Sequence, residues 1–378
     1  MPSEGVLLPP GSELRLRVST NALLKAAQMM QAASKERPAG LGPQMIRLQA
    51  VIPKDAVPHL MVSADTGEMV LHRVVTAVKI AEEGSVSMLL PEFVAKLKTA
   101  NSAQVELSVL DAEKILLRTS RTRWEISGTV GHWDETQEEY HSEIHLEAKE
   151  FSAAIRGVLA AVPKAAGRPV LERVHVSKGW ATATNGSLLL RRRVPEELFD
   201  LDIPRRIATL VSTIREGALT ISKGKKTTLL AYDRVQILLR DPALKYPDTQ
   251  KAYQAAVIEE HGLLIADVED FLGALSRVRA YSDKETPEVT LRSVQTKSGW
   301  SVVLTSVDRS GNLAKEALAA SWQDEKRLNA VFHHQHLEAL LKSSGAGEIE
   351  MQIALHGKSL LVEDPDRGLV GITQQIVV

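Results

Sequence analysis

The chain has 378 residues, no cysteine, 44% apolar and 25% charged residues, and a formal charge of −1 from 46 basic and 47 acidic side chains. That length supports two or three domains with sizeable cores, and the residue balance is that of an ordinary globular protein. Disulfides, thiolate catalysis and Cys-ligated zinc are excluded, and no run of eighteen apolar residues exists to span a membrane as a helix. The near-zero charge does not decide about nucleic acid, because basic groups on one surface can be balanced by acidic groups on another.

Residues 1–13, with Pro9-Pro10-Gly11, read as a flexible leader without the basic-then-apolar pattern of a secretion signal. Residues 14–18 alternate as a short strand. Ser19 or Thr20 then offers a helix cap, and Leu23, Leu24, Ala27 and Met30 recur at helical spacing as far as Arg37-Pro38. The same strand-then-helix pattern returns at 143–148, with Phe151, Ile155, Val158, Leu159 and Val162 on one face. It returns again at 262–266, where Asp267 is the cap and Val268, Phe271, Leu272, Leu275 and Val278 form the stripe. A second helix recurs at 91–99 (Pro91 in its first turn), at 206–216 and at 333–342, each followed by an alternating pair of strands.

Between the two helices of each copy lies a hairpin pattern, at 60–75, 180–193 and 300–320. The clearest is WATATNGSLLLRRR, where Asn185-Gly186 suits a type I′ turn with positive φ at both central residues. The glycines Gly67, Gly186 and Gly311 lie 119 and 125 residues apart, which points to three copies of one unit. Each copy then has two helices packed on one face of antiparallel strands, an α+β class. The expected divisions are a leader 1–13 and domains 14–138, 139–260 and 261–378. Acidic Asp134, Glu135, Glu138 and Glu139 mark one join, and a loop-like stretch at 251–262 marks the other.

These motifs, in this order, resemble the bacterial sliding clamp, the beta subunit of DNA polymerase III, over nearly everything after Leu14. LRLRVSTNALLKAAQ resembles the family's opening strand and helix, and ATNGSLLL its Ala-Thr-Asp-Gly-x-Arg-Leu segment. Lys245-Tyr246-Pro247-Asp248 resembles its Phe-Pro-Asp-Tyr, and residues 116–127 its Ser-Gly-Arg-Ser-x-Phe strand. The resemblance implies a head-to-tail homodimer whose six domains form a ring, sheets outside and helices inside, around duplex DNA of any sequence. It implies a cytoplasmic, nucleoid-associated processivity factor without cofactor: a non-catalytic subunit of a DNA-directed DNA polymerase (nucleotidyltransferase) holoenzyme. Polymerase, clamp loader and repair proteins would dock through short Gln-Leu-x-Leu-Phe-like peptides.

A ring that slides needs weak, sequence-blind phosphate contacts, which Lys and Arg on inward helices supply. The candidates are Lys25, Lys35, Lys96, Lys98, Arg156, Lys164, Arg215, Arg277, Arg279 and Lys342. Arg37 joins them by matching a DNA-touching position of the family. Taken singly, each also reads as a solvated helix face; recurrence on all six helices favours the joint role.

By residue matching, the peptide pocket comprises Arg168, Thr184, Gly186, Ser187, Leu188, Leu189, Pro247 and Ser359 with the tail residues Ile372, Gln375, Ile376, Val377 and Val378. Ser187-Leu188 replaces the family's His or Tyr followed by Arg, and the tail departs from Met-Pro-Met-Arg-Leu, so a more apolar pocket is expected. The same hairpin also reads as an ordinary turn over a core. The dimer interface matches Arg121, Arg123, Trp124 and Ile126 on one side and Ala280, Tyr281 and Glu316 on the other, with Glu316 set to pair with Arg121 or Arg123.

His333-His334-Gln335-His336 supports an alternative, a metal-dependent enzyme, and the altered tail supports another, a clamp-like scaffold that does not encircle DNA. Asp364-Pro365-Asp366, Asp200-Leu201-Asp202 and the basic stretch 223–226 read as turns. No nucleophile–base pair has motif support.

Overall fold

The computed structural model describes residues 14–34, 42–131, 138–164, 167–282, 287–297, 299–345, 347–355 and 358–376. The leader, Lys35, Arg37, Asp134, Glu135, Val377 and Val378 lie outside the described residues.

The first copy runs β1 (Arg15–Ser19), α1 (Thr20–Ala33), β2 (Met45–Val51), β3 (His59–Asp65), β4 (Met69–Val75) and β5 (Val78–Glu82). It continues β6 (Gly84–Leu89), α2 (Leu90–Thr99), β7 (Gln104–Asp111), β8 (Lys114–Arg118) and β9 (Arg123–Val130). The second has β10 (Ser142–Glu147), α3 (Ala148–Val158), β11 (Arg173–Ser177), β12 (Trp180–Thr184) and β13 (Leu188–Arg193). Then come β14 (Leu201–Pro204), α4 (Arg205–Val211), β15 (Ala218–Lys223), β16 (Thr227–Tyr232) and β17 (Val235–Arg240). After α5 (Thr249–Val257) the third begins with β18 (His261–Asp267), α6 (Val268–Arg279), β19 (Glu288–Thr296), β20 (Gly299–Val307) and β21 (Leu313–Leu318). It ends β22 (Ala320–Gln323), β23 (Asn329–His333), α7 (His334–Ser344), β24 (Glu348–Ala354), β25 (Ser359–Asp364) and β26 (Leu369–Gln374). The order strand, helix, strands, helix, three strands thus recurs three times.

The helices carry the expected signals. The Ser19 side chain accepts from Ala22 N at 3.4 Å and caps α1. Asp267 accepts from Glu269 N and Asp270 N at 2.9 and 3.0 Å and caps α6, whose last turn carries Arg277 and Arg279, the sign the helix dipole favours. Val268, Phe271, Leu275 and Val278 are buried along that helix. Burial of each such side chain contributes on the order of 1.5–3 kcal/mol.

Three local readings need correction. The helix expected over 206–216 ends at Val211: the amides of Thr213 and Ile214 bond three residues back, to Leu210 and Val211, which unwinds it before Arg215. The stretch at 251–262 is not all loop. Asp248 accepts from Gln250 N at 3.0 Å and starts α5 there. At Gly186 only the glycine has positive φ (99°), so the turn has the pattern of type II′, with Gly186-Ser187 central, rather than I′. Asn185 N donates to Leu188 O in this turn just as Thr66 N donates to Met69 O in the first copy, where Gly67 has φ 86°. The third copy makes a wider turn in which Asp308 N bonds Asn312 O.

The described residues fall into two compact units, one within Met1–Ala148 and Arg215–Pro242, the other within Lys149–Ile214 and Ala243–Val378. Compact unit and sequence copy are therefore different divisions, because antiparallel strands join successive copies. In the first unit β4 pairs with β17, from Met69↔Leu239 to Arg73↔Val235. In the second, β13 pairs with β26, from Leu188↔Thr373 to Arg192↔Leu369. The first unit holds a 13-stranded run ending in β10 and β5, with α1 packed on α2. The second holds a nine-stranded sheet and a four-stranded sheet, β21-β20-β19-β23, with α6 packed on α7.

Candidate functional site

In the second unit a cleft of about 300 Å³ opens between the β12–β13 hairpin, the N-terminus of α5 and the last strand. Local chemistry builds its walls. Asn185 Oδ1 accepts from Ser187 N and Leu188 N at 2.9 and 2.8 Å, and Thr184 Oγ1 accepts from Gly186 N at 3.0 Å, so side chains satisfy the turn's amides. Leu189 lies opposite Ile372 in the β13–β26 ladder, and both belong to a small apolar core with Ala256, Leu361 and Val370, against which Trp180 and Tyr253 pack. The opposite wall is pinned by Tyr246, whose ring stacks on His175 at 4.9 Å and 7°; burial pushes its phenol well above the ordinary value. Pro247, Asp248 and Thr249 follow it into the cleft.

Of the residues matched to the pocket, Arg168, Thr184, Gly186, Ser187, Leu188, Leu189, Pro247 and Ile372 line this cleft together. Ser359 does not: its hydroxyl bonds Glu259. Gln375 and Ile376 are also elsewhere, held by Gln375 N to Lys358 O at 2.7 Å and Ile376 N to Val331 O at 2.8 Å. Gln374, within the matched tail segment 372–378, lines it too, and Val170, Leu171, Asp248, Thr249 and Ala252, which residue matching does not reach, complete the lining. The overlooked signal was Pro247-Asp248 followed by Ala252, Tyr253 and Ala256, a capped helix start.

The histidines sit beside the hairpin. His333 and His336 stack at 4.4 Å, and burial, then His333, lowers the His336 ring to about 4, so it is neutral at neutral pH. His334 is buried on the inner face of α7. Among the described residues, no three His, Asp or Glu side chains converge as a metal-holding group.

The basic residues differ in their surroundings. Lys25, Lys98, Lys164 and Arg215 are exposed. Lys96 pairs with Glu92 at 2.5 Å. Arg156 donates from Nε and Nη2 to Ser212 O at 3.0 and 2.8 Å, tying α3 to the end of α4. Arg279 and Lys342 share Glu338 at 3.6 and 2.5 Å, and Arg277 is held by Glu316. Lys25 also lines a polar cleft of about 250 Å³ with Arg73 of β4 and Arg234 of the β16–β17 turn. A search confined to helix faces overlooks both arginines.

The interface residues fall at sheet margins. Among the described strands β21, which carries Glu316, has β20 on one side and none on the other. β9 pairs with β8 along Arg123–Ser127 and meets β6 only from Gly128 onward. Trp124 is half-buried, Tyr281 and Ala280 are exposed, and Ile126 is fully buried in its own core, so a partner cannot reach its side chain.

This architecture is that of the bacterial DNA polymerase sliding clamps. The DNA polymerase sliding clamp of Bacillus subtilis aligns at a TM-score of 0.83 and 19% identity, over 97% of this chain and 100% of that one. The DNA polymerase III subunit beta clamp of Pseudomonas aeruginosa bound to griselimycin aligns at 0.80 and 17%, over 97% and 100%. The beta sliding clamp of C. crescentus aligns at 0.83 and 18%, over the same shares. No family model matches the sequence, and no curated protein matches it. No described helix is long and apolar enough to cross a membrane.

Proposed function

We propose that this chain is a DNA sliding clamp. Two copies close head to tail around duplex DNA, tether a DNA polymerase to it, and dock polymerase, clamp loader and repair proteins through short peptides in the cleft beside Leu189. It acts without catalysing a reaction. The domains 14–138, 139–260 and 261–378 are the repeating parts of that ring.

The supporting observation is the pattern of open edges. The first two copies each lend a strand (β4, β13) to the last strand of the next copy (β17, β26). In the third copy the corresponding strand, β21, has no such partner among the described strands. In the first copy the start of the last strand, β9, likewise has no partner on its outer side among the described strands. Exposed edges of this kind are stabilised by pairing, and the other end of a twin chain fits.

The register can be carried over. Leu313 pairs with Val307 as Leu189 pairs with Thr184 and Val70 with Asp65. Ile126 pairs with Ile115 as Thr373 pairs with Leu360 and Leu239 with Thr228. Ala314 of one chain therefore lies opposite Trp124 of its twin, the counterpart of Leu190 opposite Gly371 within the chain. In both joints a large side chain meets a small one. At Gly371 this is strict, since a Cβ there would fall 2.1 Å from Leu340.

The cleft supports the docking role: it is walled by buried Leu188, Leu189 and Ile372, with Arg168 at its margin, and an extended peptide could lay alternate apolar side chains there. Imaging of purified particles and retention on nicked circular but not linear DNA test the ring. A compact particle without a central opening, or equal loss from both DNAs, overturns it. A Gln-Leu-x-Leu-Phe peptide that binds wild type and Leu189→Asp equally overturns the cleft.

A further inference from the structure

The wall of the cleft is tied to a helix from another copy by one side-chain bond. Asn185 Nδ2 lies 3.0 Å from His336 Nε2. The amide's orientation is not arbitrary. Its Oδ1 already accepts from two backbone amides, Ser187 N and Leu188 N, so the group facing His336 is the NH₂. His336 Nε2 must then be the unprotonated acceptor, with the ring proton on Nδ1. The ring has little freedom to turn away, because it is half-buried and stacked on His333. One imidazole therefore fixes the amide that in turn fixes two of the turn's backbone N–H groups. The matching turn of the first copy has Thr66 in place of Asn185.

We infer that His336 is a positioning residue for the docking cleft: its Nε2 accepts from Asn185 and holds the Gly186–Leu188 turn in the shape that receives a partner peptide. This rests on the peptide-docking reading, although the latch itself can be observed without any peptide. An aspartate at 185 could only accept, so it would need the proton on His336 Nε2 rather than on Nδ1.

The test compares His336→Leu, which removes the acceptor, with His336→Gln, whose side-chain oxygen can replace it. Two quantities are read in the full-length chain: hydrogen exchange at the Ser187 and Leu188 amides, and affinity for a Gln-Leu-x-Leu-Phe peptide. His336→Leu should speed exchange at both amides and weaken the peptide by about threefold to tenfold, the effect of one lost hydrogen bond. His336→Gln should return both close to wild type. Unchanged exchange in His336→Leu, or leucine and glutamine variants that behave alike, overturns the latch. Faster exchange with unchanged peptide affinity overturns the positioning role. If wild type binds no peptide at all, the docking reading and the positioning role fail together, and exchange alone then decides the latch.

Discussion

Arg277 and Glu316 form a bidentate pair across α6 and β21, with Nε 2.8 and 3.0 Å from the two carboxylate oxygens and Nη2 at 2.5 Å from one. The guanidinium holds the Glu316 carboxyl below its ordinary range. Two roles expected from sequence thus compete for one contact: Arg277 toward DNA, and Glu316 toward Arg121 or Arg123 of a second chain. Glu316→Gln releases Arg277 without moving a strand. Retention on nicked circular DNA should then become more salt-sensitive, its log–log slope steeper by about one per added phosphate contact. The dimer should persist. Dissociation of Glu316→Gln into monomers would return Glu316 to the interface.

The carried-over register sets Lys315 opposite Arg123 across the joint, and like charges directly opposite are unfavourable. Arg123 is partly offset by Glu125, 3.0 Å away on its own strand. Arg123→Glu should tighten the dimer, since cross-strand pairs contribute about 0.2–1 kcal/mol, a gain of up to about fivefold. Trp124→Asp should loosen it. Sedimentation equilibrium measures both, and a weaker Arg123→Glu dimer would show the register to be wrong.

Reversing a basic residue should have either of two consequences, depending on its neighbours. Lys98→Glu, at an exposed site, should cut retention on DNA with a melting temperature within a degree or so of wild type. Arg156→Glu loses two hydrogen bonds to Ser212 O. Its melting temperature should fall by about 2–4 °C, the shift expected for about 1 kcal/mol in a unit of this size. Calorimetry alongside DNA retention separates them, and equal melting temperatures would contradict the structural role given to Arg156.

Acid should weaken the second unit through its histidines. His336 titrates at about 4 when folded against 6.5 ordinarily, and burial lowers His333 and His334 as well. The unfolded chain therefore binds more protons than the folded one as pH falls through this range. This contribution is complete above pH 6.5 and is lost progressively toward pH 4. The rings face Glu288, Glu338, Arg279 and Lys342. Melting midpoints from pH 7 to 4.5 should fall, and less steeply in His336→Gln. Identical slopes would remove His336 as the source.

What the sequence determined by itself was local and periodic. Residues such as Leu23, Phe271 and Val278 recur at helical spacing, Asp267 caps, and Gly67 and Gly186 mark equivalent turns; the order of elements could be read three times over because each signal lies within one turn or strand. The apolar hairpin wall was legible in the same way, from Leu188 and Leu189. Neighbours distant in sequence were not. The stretch 251–262 reads as loop although Asp248 caps a helix over much of it, and Ser359, Gln375 and Ile376 match the cleft by residue although each bonds elsewhere. By residue matching Glu316 faces another chain, while in the fold Arg277, 39 positions away, holds it. A side chain's partner is fixed by which strands lie side by side, and the pairing of β13 with β26 joins residues more than 170 positions apart. Tertiary structure alone decided which edges were filled from within and which stayed open, because pairing depends on the order of strands in space.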